Sequence, residues 1–75
     1  MNSIETKREI GELIKSARLS ANLTQKNLAS SIQISRRCLI GLESGSSDAK
    51  LSLLLAISEV TDTPIIKLIP KAYIK

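Results

Sequence analysis

Residues 23–45 read LTQKNLASSIQISRRCLIGLESG, a stretch that encodes two short helices and the tight turn between them. Thr24 stands where a helix over about residues 25–31 needs an oxygen for its first free backbone N–H groups, and Leu28, Ala29 and Ile32 follow at helical spacing. Ser35 repeats the capping device for a helix over about residues 36–44. Gly45 then occupies the position where a helix end favours a residue free to turn left-handed. Ile32 to Ser35 leave room between the two for a turn only.

Outward from this pair the helical spacing continues. Ile10, Leu13, Ile14, Ala17 and Ala21 recur every three or four residues and predict an amphipathic helix over about residues 6–21, ended near Asn22. Past the small polar stretch Ser44 to Ser47, the positions Leu51, Leu54, Leu55 and Ser58 predict a fourth helix reaching about Val60. No repeat, low-complexity segment or long linker interrupts the chain. The expected organisation is one domain over residues 1–62 and a tail over residues 63–75. The tail has two readings: Thr63-Pro64 resembles a helix start, whereas Ile65, Ile66, Leu68 and Ile69 favour a strand. A strand here would need a partner, which a second copy of the chain could supply by antiparallel pairing.

Composition narrows the possible functions. With 75 residues there is room for one small core, so oligomerisation is a natural source of added stability. Hydrophobic residues make up 43% of the chain and aromatics 1%, with Tyr73 the lone ring, which favours packed helices and argues against stacking on single-stranded nucleic acid. Net charge is +4, and its distribution is uneven. Residues 15–50 carry six basic and two acidic groups, against two and three in residues 1–14 and three and two in residues 51–75. The single Cys38 cannot form an internal disulfide, and no apolar run approaches the roughly 20 residues of a membrane span, so a soluble cytoplasmic chain without a signal segment is expected.

Catalysis finds little support. With no His and one Cys there is no Cys-His or Ser-His pair, no zinc-ligand spacing and no Gly-rich phosphate loop, so neither an enzyme nor a metal or other cofactor is expected. Glu5, Glu9 and Glu12 lie near the start of the first helix, where its dipole suffices to account for them.

At about 100 degrees per residue, Leu39 and Leu42 fall on one side of the third helix with Ser35. Arg36, Arg37, Ile40, Gly41 and Ser44 fall on the other. Arginine suits a bidentate contact with guanine O6 and N7, and an outward Ile40 either meets a thymine methyl or is an ordinary surface residue. Gly41 inside a helix invites a reason, either close approach to DNA or contact with another protein. Cys38 reads as a small residue at the edge of the core, ahead of a redox switch beside two arginines.

Leu23-Thr24-Gln25, Leu28-Ala29, Ile34-Ser35-Arg36, Leu39 and Leu42-Glu43-Ser44-Gly45 together resemble the helix-turn-helix of the lambda-repressor and Cro-like family, the xenobiotic-response-element class. The resemblance covers about residues 10–60. It implies an all-α domain of four to five helices that binds double-stranded DNA, with Ser35, Arg36, Arg37 and Ile40 facing bases. It likewise places Thr24, Gln25, Lys26 and Lys50 against the backbone, and pairs Arg18 with Glu43 as a structural ion pair. The family commonly has Gly in the turn where this chain has Gln33. Ser35-Arg36-Arg37, the stretch Leu51 to Val60 and the terminal Ile65-Ile66-Lys67-Leu68-Ile69-Pro70 further resemble antitoxins of HipB type. That likeness implies a homodimer paired through a C-terminal strand carrying Ile65, Ile66, Leu68 and Ile69. It also implies a palindromic operator and a HipA-like kinase toxin as partner. The competing readings are a phage or plasmid repressor or restriction-modification controller without a toxin, and a protein-interaction module that keeps the fold without reading DNA.

Overall fold

The computed structural model describes residues 3–74, which form α1 (Ser3–Ser20), α2 (Gln25–Ser31), α3 (Arg36–Ser44) and α4 (Leu51–Thr61), followed by two 3₁₀ helices, Ile65–Leu68 and Lys71–Tyr73. Among the described residues there is no strand, and no helix is long and apolar enough to cross a membrane. Ile14, Leu28, Leu39, Ile57 and Leu68 are fully buried, one from each α-helix and one from the first 3₁₀ helix. Each such side chain contributes about 1.5–3 kcal/mol on leaving water.

Both predicted caps form. Thr24 Oγ1 accepts the Asn27 N–H at 3.0 Å and Ser35 Oγ accepts the Cys38 N–H at 3.0 Å, which sets where α2 and α3 begin. All four helices end alike. A residue with positive φ follows each one: Asn22 (59°), Gln33 (60°), Gly45 (84°) and Asp62 (53°). The next N–H reaches back across the turn, from Leu23 to the Arg18 carbonyl, Ile34 to Ala29, Ser46 to Gly41 and Thr63 to Ser58. Asn and Asp tolerate this conformation better than most residues, and Gly does so freely. Gln33 has neither advantage, so the turn keeps the left-handed geometry that Gly would give it, at a steric cost of about 1–2 kcal/mol. Gln33→Gly removes that cost and adds some unfolded-state entropy. It should raise stability by about 0.5–1 kcal/mol and the melting temperature by a few degrees in a thermal scan; a lower melting temperature would contradict the account.

Gly11 lets α1 lie directly on the end of α3. A Cβ at that position would sit 2.5 Å from the carbonyl oxygens of Leu42 and Glu43, so any larger residue must push the two helices apart.

The tail differs from the strand favoured by the resemblance. Pro64 and Pro70 each open a 3₁₀ turn, with Lys67 N–H donating to the Pro64 carbonyl at 2.9 Å and Tyr73 N–H to the Pro70 carbonyl at 3.0 Å. The alternation of a strand would put Lys67 on the same side as Ile65 and Ile69. The tighter turn instead sends Ile65 and Leu68 inward, three residues apart, and leaves Ile66 and Lys67 in water. Ile65 packs on the core and Leu68 belongs to it. The Tyr73 hydroxyl lies 3.3 Å from Thr6 Oγ1, so the end of the tail meets the start of α1.

Candidate nucleic-acid interface

The interface is built on a buried ion pair. Arg18 of α1 and Glu43 of α3 are only 7% and 8% exposed, and their side chains meet twice: Nε donates to Glu43 Oε2 at 2.7 Å and one terminal nitrogen to Oε1 at 3.2 Å. The other terminal nitrogen donates to the Leu23 carbonyl at 3.0 Å, tying the pair to the turn that leads into α2. Gln25 Nε2 donates to Glu43 Oε1 at 3.2 Å, so one carboxylate holds both α1 and the first turn of α2 to α3.

Above this network lies an open cleft lined by Lys15, Arg18, Thr24, Gln25, Lys26 and Arg36. Its four charged residues are all basic, and the Arg18 charge is balanced from beneath by Glu43. The first turn of α3 adds to the field: Arg36 and Arg37 are exposed there and no acidic residue accompanies them. Positive side chains at the positive end of a helix repel its dipole, and an arriving anion relieves both. Ile40 lies one turn further on and is 42% exposed.

Each sequence-predicted residue can now be placed. Thr24, Gln25, Lys26 and Arg36 come together in the cleft, while Ser35, the N-cap of α3, and Arg37 and Ile40 on the helix lie outside its lining. The Thr24 and Ser35 oxygens are engaged as caps, and their hydroxyl hydrogens can still donate outward. Gln25 spends one amide hydrogen on Glu43 and keeps the other. Lys50 stands apart, as the N-cap residue of α4. Lys15 was not among the predicted residues, yet it lines the cleft; its position three residues before Arg18 puts both on one face of α1.

Two expectations change. Cys38 flanks the core-facing stripe of α3, but no neighbouring element covers it and its side chain is exposed. Gly41 meets a packing requirement within its own chain, apart from the DNA or partner contact expected of it. Ser46 and Ser47 fold back onto its carbonyl through N–H bonds of 3.0 and 3.2 Å, and a Cβ there would lie 2.8 Å from Ser47 Oγ.

Comparison with known proteins adds two findings. A family model described as helix-turn-helix matches residues 14–68, which span α1 from its middle, all of α2, α3 and α4, and the first 3₁₀ helix. The chain is also 32% identical over 57 residues, 76% of its length, to a protein of Methanococcoides burtonii whose assignment as an HTH-type transcriptional regulatory protein is itself provisional. The match spans 18% of that relative's length.

Proposed function

The chain belongs to the helix-turn-helix family of DNA-binding regulators, and on that premise we propose that it is a sequence-specific repressor that sets α3 in the major groove of double-stranded DNA. The observation that carries this proposal is the exposed pair Arg36 and Arg37 on the first turn of α3, beside a cleft whose charged lining is wholly basic. Ser35, Arg36, Arg37 and Ile40 face base edges, and Thr24, Gln25, Lys15 and Lys26 hold the phosphate backbone. Two copies act together in the cytoplasm on a palindromic operator, one half-site each. Through its likeness to HipB-type antitoxins in Ser35-Arg36-Arg37 and in residues 51–60, the proposal extends to an antitoxin that represses its own operon and binds a HipA-like kinase toxin. Co-expression with a kinase-like neighbouring gene product, if one is encoded, should relieve that protein's toxicity; without such a neighbour the plain repressor stands.

DNA reading is tested by selecting preferred duplexes from a random pool and titrating them by fluorescence anisotropy. The preferred duplex should bind at least about a thousandfold tighter than unrelated duplex. Affinity should fall linearly on a log scale with salt, by about 0.9 log units per log unit of salt for each phosphate neutralised. Equal affinity for all duplexes would remove the sequence-specific role, and salt-independent binding would remove the phosphate contacts.

A further inference from the structure

We propose that α4 is the surface on which two copies of this chain pair, antiparallel about a two-fold axis, through Leu51 and Leu55. The proposal rests on the DNA-binding assignment, which calls for two recognition helices, and names where the second one attaches. The tail offers little of its expected strand: of Ile65, Ile66, Leu68 and Ile69, Leu68 is buried, Ile65 and Ile69 are half-buried and Ile66 is exposed, while the exposed Tyr73 lies beyond Pro70 with its hydroxyl against Thr6. On α4, by contrast, Leu51 and Leu55 are 65% and 50% exposed, and with Glu59 they form one stripe at four-residue spacing.

The charges on this helix argue for the direction of pairing. Lys50 stands at the N-cap, where the helix dipole is positive, and no acidic residue lies in the first turn. Glu59 lies in the last turn and Asp62 at the C-cap, where the dipole is negative, and no basic residue lies there. The helix also starts without a side-chain hydrogen bond to its free N–H groups. Every one of these placements is unfavourable for α4 alone and favourable beside an antiparallel copy. Pairing centred near Leu55 sets Glu59 of each copy against Leu51 and Lys50 of the other, at the uncapped positive end. Two leucines per copy make a small patch, below the roughly 1,200 Å² of a standard stable interface. The free dimer is therefore weak, and it is completed when two half-sites hold the copies side by side.

Sedimentation equilibrium up to about 1 mM chain is the test, alongside titration of duplexes carrying one or two half-sites. The wild-type chain should dimerise reversibly and bind the two-half-site duplex cooperatively. Leu55→Asp should weaken dimerisation at least about tenfold and abolish cooperativity, while helical circular dichroism and single-half-site affinity stay at wild-type level. Lys50→Glu and Glu59→Lys should each weaken the dimer about two- to thirtyfold, since the pair occurs twice, and the double reversal should restore it. A wild-type chain that stays monomeric in solution and binds two half-sites independently would overturn the proposal. So would a dimer indifferent to Leu55→Asp, or a double reversal no better than the singles. Single-half-site binding separates the two ideas: if it persists when dimerisation through α4 is disproved, the DNA assignment survives; if the wild-type chain binds no duplex, that assignment fails whatever its oligomeric state.

Discussion

Replacing Glu43 with alanine should cost the folded domain about 3–5 kcal/mol, the range found when one partner of a buried ion pair is removed. Total stability for a chain of this size is about 5–10 kcal/mol, so at the low end of that range a large part of the population would unfold near physiological temperature. Arg18 is 7% exposed, and the substitution strips two of its three side-chain hydrogen bonds. An arginine stays charged inside a protein, so it cannot escape the penalty by losing a proton. Gln25 loses its partner at the same time, and with it the link between α2 and α3. Urea unfolding followed by circular dichroism measures the loss; a value within about 1 kcal/mol of wild type would mean that the pair is not buried in solution. Arg18→Met with Glu43→Leu should recover most of the stability, because two apolar side chains need no mutual charge. That double variant should still bind DNA poorly. It releases Gln25 from the carboxylate that orients it, while the net charge of the cleft is unchanged because Glu43 leaves with Arg18.

Legibility of the chain followed the range of the interactions involved. Thr24 and Ser35 act on backbone groups three residues away, so the starts of α2 and α3 could be read from a few letters. The tail needed more. Ile65, Ile66, Leu68 and Ile69 fit a strand by composition, yet the prolines at 64 and 70 and the outward Lys67 fit a period of three, and only the core cavity that receives Leu68 decides between them. Gly11 gave no local signal, because the atoms that require it belong to Leu42 and Glu43, more than 30 residues away. In the candidate interface, periodicity put the arginines of α3 on its outward side, and the resemblance put them against DNA. Lys15 entered only when α1 was packed against α3 and brought its side chain to the cleft. Cys38 shows the reverse error: a small, weakly polar residue suggests burial by type, and its angle on α3 puts it in water.

Arg36→Ala and Arg37→Ala should each weaken binding to a selected duplex by about 1–3 kcal/mol per half-site, or roughly five- to 150-fold, if their guanidinium groups read guanine. Their positions make the two losses distinguishable. Arg36 lines the basic cleft with Lys15, Arg18 and Lys26, whereas Arg37 does not. A side chain near the phosphate path contributes to every duplex alike, and one confined to the groove contributes only where its base is present. Arg36→Ala should therefore lower affinity for unrelated duplex as well and flatten the salt dependence by about one unit of slope. Arg37→Ala should leave unrelated duplex and salt slope unchanged and narrow the gap between selected and altered sequences. Lys26→Ala serves as the control, expected to weaken all sequences equally. Anisotropy titrations of selected, singly altered and unrelated duplexes at several salt concentrations give all of these quantities. If selected and altered duplexes keep their wild-type ratio in both arginine variants, α3 does not read bases through its first turn. A loss that is uniform in both would reduce the arginines to phosphate contacts and move base recognition to Ser35 and Ile40.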